Sequence, residues 1–186
     1  MPADQPPLPQ ILGSMNVSLD GFVADNGGDW PRPFETPDPG HGRFLAGVGT
    51  VVMGRATYER SLALAGGFPF ARHDVLVVTS APLTGAQPRV AAWTSGVPAL
   101  IRHLRATAAS TRPAWIAGGP CLQNALIAAG GIDQLDIFVI PMLLGSGVPL
   151  GRGLAARARL DLVSSKVLGA GIVRLRYRPP EVRAAA

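Results

Sequence analysis

Two strand-to-helix corners carry the residues best suited to chemistry. The first is Met53-Gly54-Arg55-Ala56-Thr57-Tyr58-Glu59, where an apolar strand reaches Gly54 and a helix starts at once. Free N–H groups of that first turn, the Arg55 guanidinium and the Thr57 hydroxyl then converge on one spot, which makes a phosphate-binding corner. The second is Trp115-Ile116-Ala117-Gly118-Gly119-Pro120. Its paired glycines let backbone approach a ligand closely, and the helix behind them points its positive end the same way. Thr79-Ser80 closes a third strand. Either corner alone is also what a plain tight connection looks like; three polar strand ends along one sheet edge suit an extended diphosphate cofactor.

Other nucleotide and nucleophile motifs are absent. No Gly-x-x-x-x-Gly-Lys occurs, and the sole lysine is Lys166. Gly47-Val48-Gly49 precedes a strand instead of following one, so it is not a dinucleotide-binding turn. Gly145-Ser146-Gly147 lacks the spacing of a nucleophile elbow. His41, His73 and His103 have no acidic partner pattern and are expected at the surface or a sheet edge. The single Cys121 excludes an internal disulfide, and no Cys/His set has metal spacing, so no metal site is expected.

Alternating strands and helices must position these corners. Strands are expected over residues 11–19, 50–53, 75–79, 90–93, 114–117 and 135–140, with helices over 38–46, 56–64 and 98–109 and a fourth starting at Pro120. Asp20-Gly21 breaks the first strand, and residues 25–40 hold too many Gly and Pro for regular structure. Residues 160–168 and 172–178 form a terminal hairpin turning at Gly169-Ala170-Gly171. The pattern predicts a three-layer α/β/α fold with a central mixed, mostly parallel sheet and a C-terminal antiparallel hairpin. One domain spans residues 9–180, between a Pro-rich flexible N-terminus (1–8) and a C-terminal tail (181–186).

The chain has 186 residues, 47% of them apolar and 16% charged. That composition excludes a disordered chain. No apolar run is long enough to cross a bilayer, and the first residues lack a signal peptide's pattern, so a cytoplasmic protein with no membrane partner is expected. The net charge of +5 is uneven: residues 1–151 hold nine Arg against ten acids, and the surplus lies beyond them. Arg174, Arg176 and Arg178 alternate with apolar residues at strand period, which points to a solvated sheet face more than to a polyanion groove.

The blocks Ser18-Leu19-Asp20-Gly21-Phe22-Val23-Ala24, Gly54-Arg55-Ala56-Thr57-Tyr58-Glu59 and Ala117-Gly118-Gly119 resemble the dihydrofolate-reductase-like superfamily. Residues 129–135 (Ala-Gly-Gly-Ile-Asp-Gln-Leu) through the stretch 141–150 (Pro-Met-Leu-Leu-Gly-Ser-Gly-Val-Pro-Leu) resemble one branch of it, which includes the C-terminal reductase domain of bifunctional riboflavin-biosynthesis deaminase/reductases. That resemblance implies an NADPH-dependent reductase acting on a C=N or C=O group of a small, pterin- or pyrimidine-like substrate. It places phosphates at Gly54, Arg55 and Thr57 and the adenosine 2′-phosphate near Thr79 and Ser80. Ala117, Gly118, Gly119 and Leu122 would line the diphosphate, and Val23 and Asn16 the nicotinamide. It also implies a cis bond between Gly118 and Gly119. Trp30, Asp38, Leu144 and Gly145 fall on the substrate side. The proton comes either from Asp20 or from a water positioned by Asn16, and Asp20 is equally a turn residue. Relatives of this branch are often homodimers, with residues 141–150 as a candidate interface. Two other classes stay open: a non-enzymatic NADP-binding protein, and a nucleic-acid-binding module using the basic hairpin.

Overall fold

A computed structural model describes residues 10–28, 41–64, 66–85, 87–107, 112–154 and 156–180. Its centre is an eight-stranded sheet in the order β5-β4-β3-β6-β1-β7-β10-β9. In chain order, β1 is Ile11–Ser18, β2 Phe22–Ala24, α1 His41–Gly47, β3 Thr50–Gly54, α2 Arg55–Leu62, β4 Asp74–Val78 and β5 Val90–Trp93. Then follow α3 Gly96–Ala106, β6 Ala114–Gly118, α4 Pro120–Ala128, β7 Gln134–Ile140, β8 Val148–Pro149, β9 Asp161–Val167 and β10 Val173–Arg178. Strands β5, β4, β3, β6, β1 and β7 run parallel, while β10 is antiparallel to both β7 and β9. The mixed α/β sheet with its terminal hairpin is the architecture the residue pattern implies.

Strand alternation builds the layers. In β1, Ile11, Met15 and Val17 join a cluster with Leu100 and Leu104 of α3 and Leu122 and Leu126 of α4. Leu12 points the other way and joins Val51, Met53, Trp115, Tyr58 of α2 and Leu45 of α1. Successive side chains leave opposite faces of a strand, so one buried strand feeds both layers. Pro120 occupies the first turn of α4, where its missing N–H costs nothing.

Gly13, on the α3/α4 side of β1, is a packing glycine. A Cβ there would stand 2.6 Å from Gln123 Oε1 and 3.0 Å from Leu135 Cδ1. Gln123 is fully buried and is pinned because its Nε2 donates to Ser14 O at 2.6 Å. We expect Gly13→Ala to destabilise the fold by about 1–3 kcal/mol, lowering Tm by about 2–4 °C per kcal/mol for a chain of this size. A thermal melt unchanged from the parent would show that Gln123 swings aside freely.

The ribbon of β2 and β8, an antiparallel pair separate from the main sheet, lies in stretches to which the residue pattern assigned no strand, and one expectation needs correction. The arginine face of β10 is not plainly solvated: Arg176 makes a two-pronged ion pair with buried Asp136, Nε to Oδ1 and Nη2 to Oδ2 both at 2.8 Å. The pair raises the Arg176 pKa above its ordinary value through that hydrogen bond. His73 is half-buried just before β4, with Nε2 3.0 Å from Leu45 O. Residues 1–8 and 181–186, Trp30 and Asp38 lie outside the described residues. Among the described residues no helix is long and apolar enough to cross a membrane.

Candidate active site

The carboxyl ends of the parallel strands form one edge, and β1 stands between β6 and β7 there. The chain reaches β3 and β6 on one side of β1 and β7 on the other, which is the topological switch where open α/β sheets bind ligands. The two corners meet at this edge. Met53 at the end of β3 pairs with Gly118 at the end of β6, and a Cβ on Gly118 would touch Thr57 Oγ1 and Cγ2 at 3.3 Å. A Cβ on Gly119 would lie 3.6 Å from the same hydroxyl, and none on Gly54 would meet any atom within 4 Å. The glycines therefore keep a cradle clear, with Thr57 projecting between them.

Helices α2 and α4 begin at this cradle behind Gly54 and Gly119, and neither N-terminus has a side-chain cap. Their first-turn N–H groups need acceptors from elsewhere, and their dipoles favour an anion. Arg55 opens α2 and donates through Nε to Glu59 at 2.7 Å; its side chain is partly exposed. Farther along the edge, Thr79 Oγ1 accepts from the Ala81 N–H at 3.1 Å. That hydroxyl is engaged by its own turn, while neighbouring Ser80 is exposed. Ala117 is half-buried, and Leu122 is buried in the core beneath α4.

The predicted cis bond is not there. All peptide bonds of the described residues are trans. The chain turns instead through Gly118 at φ 152°, a conformation open to glycine, followed by Gly119 in extended backbone at φ −65°.

On the other side of β1, Asp20 is a clamp. Its carboxylate accepts from the Ser18 hydroxyl at 2.6 Å, the Gly145 N–H at 2.6 Å and the Leu144 N–H at 3.1 Å. The Ser18 hydrogen bond first, then the backbone donors, hold its pKa down to about 2. In this structure the carboxylate is held ionised as a hydrogen-bond acceptor, which is the part of a clamp. Leu144 and Gly145 thus present backbone to this clamp. Asn16 is exposed on β1 beside Phe138, and Val23 of β2 packs on the core.

The depressed pKa has a testable sign. The clamp is complete above the ordinary carboxyl value of 3.8 and is lost as pH falls through about 2. The Gly145 amide resonance should stay flat from neutral pH down to about 4 and then titrate with a midpoint near 2. A midpoint near 3.8 would mean the clamp is open in solution.

Two positioning residues escaped the sequence reading. Ser18, buried at the end of β1, donates to Asp20 and accepts from the Phe22 N–H at 2.9 Å. The spacing Ser-x-Asp-Gly was its only signal. Asn124 of α4, also buried, donates through Nδ2 to Leu150 O at 2.8 Å and Arg152 O at 2.9 Å, tying the segment after β8 to the helix. Nothing local in sequence marks it.

Sheet order, strand-end cradle and terminal hairpin define a dihydrofolate-reductase-like α/β domain. Residues 9–174 match the RibD C-terminal domain family, and the chain belongs to that reductase-like family. It is 37% identical over 164 residues to the uncharacterized protein YwjB of Bacillus subtilis, covering 87% of this chain and 92% of that one. Among solved structures it superposes with a TM-score of 0.77 and 26% identity on a proposed riboflavin biosynthesis protein from Shewanella sp. PV-4, over 92% of this chain and 99% of the other. Dihydrofolate reductase from Enterococcus faecalis, solved with NADP(H), shares the fold at a TM-score of 0.66 and 17% identity, over 92% and 97% of the two chains.

Proposed function

We propose that the protein is an NADPH-dependent reductase of a small C=N or C=O substrate, pterin- or pyrimidine-like in shape. The observation that carries this is the glycine cradle, in which Gly118 and Gly119 abut Thr57 across the β3–β6 pair. In this reading the uncapped first turns of α2 and α4, Arg55 and Thr57 hold the diphosphate. Ser80, more than the engaged Thr79, meets the 2′-phosphate, and Ala117 lines the same edge, with Leu122 packed in the core behind it. Asn16 and Val23 flank the nicotinamide. The chemistry supplied by the bound coenzyme is delivery of a hydride to an electron-poor carbon. The chain's own part is alignment and restriction of water. Because Asp20 is ionised, the proton comes from a water held by the Asn16 amide. Asp20 fixes the segment at Leu144 and Gly145 that closes the substrate side.

The test is fluorescence titration with NADPH, then with candidate pterins and pyrimidines while following oxidation at 340 nm, a wavelength set by the coenzyme and roughly independent of the protein. Saturable binding with turnover supports the reading, and no binding ends it. Binding without oxidation of any candidate favours the non-enzymatic alternative.

The protein is further proposed to be cytoplasmic and a homodimer. One of the two edge strands, β9, exposes Leu162, Val163 and Val167 among the described residues, an apolar edge that a partner strand would cover. Sedimentation at a monomer mass would remove the dimer.

A further inference from the structure

The side chain of Gln123, on α4, is fully buried, and its two amide atoms fare unequally. Nε2 donates to the main-chain oxygen of Ser14 at 2.6 Å, while Oε1 has no hydrogen-bond partner among the described residues. A buried acceptor left unpaired is a cost that an apolar side chain of similar length would not carry. What offsets it is the carbonyl that Nε2 serves.

Ser14 stands where two parallel strands part. Strand β1 pairs with β6 from Ile11 opposite Ala114 to Gly13 opposite Ile116, and beyond that with β7 alone, as far as Ser18. At the same level β6 shifts register against β3, between Val52 and Met53. Alternate residues of a central strand turn their N–H and C=O to opposite neighbours. Ile11 faces β7, since its carbonyl accepts from the Asp133 N–H at 2.9 Å, so Leu12, Ser14 and Asn16 face β6. Ser14 O is therefore the first β1 carbonyl that β6 no longer serves, and the Gln123 amide stands in for the missing rung. A second hold comes from Trp115, whose Nε1 donates to Ser14 Oγ at 2.9 Å. Ser14 is thus fixed by side chain and main chain at the mouth of the crevice, one alternation before Asn16.

We propose that Gln123 is a positioning residue for the nicotinamide end of the coenzyme cleft: by holding the Ser14 carbonyl it fixes the part of β1, Asn16 above all, on which the ring lies. This rests on the coenzyme reading given above. Gln123 is too deeply buried to touch the ligand itself, so it acts through β1. Without the amide, Ser14 O lacks a donor, and β1 meets that need by drifting toward β6 or by admitting water. Either response disturbs the nicotinamide end, while the phosphate corner at Gly54, Arg55 and Thr57 is left as it was.

The test compares two probes by titration calorimetry: NADPH, and 2′-phospho-ADP-ribose, which is the same coenzyme without its nicotinamide. Gln123→Met keeps the volume and removes the donor. It should bind 2′-phospho-ADP-ribose as the parent protein does and NADPH about tenfold more weakly. Gly13→Ala dislodges the same amide from the other side, because its Cβ would stand 2.6 Å from Oε1. It should show the same split, which keeps the inference testable if Gln123→Met does not fold. A purely structural role would lower Tm and weaken both probes together. That result overturns the proposal, as does unchanged affinity for both. If the parent protein binds neither probe, the coenzyme reading itself falls and takes this inference with it.

Discussion

Gly118→Val should weaken NADPH binding about a hundredfold, equivalent to about 2.7 kcal/mol, while the chain still folds. Two effects add. At φ 152° a β-branched residue is strained, at a cost of about 1–3 kcal/mol. Its Cβ also meets Thr57 at 3.3 Å, tighter than a comfortable contact, and its branches reach farther into the cradle. If the backbone turns to relieve the strain, the first N–H groups of α4 no longer face those of α2. Gly54→Ala is the cleaner companion. Gly54 lies at φ −79°, with open space where a Cβ would go, so the empty protein should accept alanine with its Tm unchanged. The methyl would still stand where a phosphate is meant to lie, and affinity should fall. Fluorescence titration beside a thermal melt reads both quantities. Wild-type affinity in both variants would mean that no diphosphate is held at this edge.

The parts of this site that lie close in sequence were legible in it, and the parts that meet across the fold were not. Val90–Trp93 and the start of α4 at Pro120 follow from local rules, namely β-branched and aromatic runs and proline's tolerance for the first helical turn. Corner glycines announce themselves because few residues can make a tight strand-to-helix turn. Asp20 did not disclose its role. Its partners Leu144 and Gly145 lie more than 120 positions away, so the same Asp-Gly pair fits a plain turn and a proton donor equally. The β2–β8 ribbon was missed for the same reason. Strands of three and two residues have no periodicity to detect, and they pair across the chain beside the Asp20 clamp. Arg176 looked solvated because strand alternation gives a side chain's face and says nothing of what the neighbouring strand offers it. Asp136 sits directly opposite.

The ribbon also carries the second large effect. Gly147→Ala should open it. A Cβ on Gly147 would drive into the carbonyl oxygen of Ala24, with the carbonyl carbon at 3.2 Å and Asp25 Cα at 3.3 Å, and the residue lies at φ 155°. The obstacle is backbone on a paired strand, so no side chain can swing aside. Strain and overpacking each cost about 1–3 kcal/mol. Among the described residues the ribbon is held by two register pairs, the Asp20 clamp on Leu144 and Gly145, the Leu150 N–H to Gly21 O at 2.9 Å, and Asn26 Nδ2 to Ser146 Oγ at 2.9 Å. Opening it is therefore the less costly response, leaving the eight-stranded sheet intact. Hydrogen exchange should show lost protection at Phe22, Ala24 and residues 144–150, with Tm lower by only a few degrees, about the cost of one local element. Gly145→Ala is the control. Gly145 is at φ 72° with nothing within 4 Å of its Cβ position, so it suffers backbone strain alone and should keep most of that protection. Should Gly147→Ala instead lower Tm by tens of degrees, roughly a global loss on the same scale, the ribbon would be part of the cooperative core and the Asp20 clamp would be holding the whole domain.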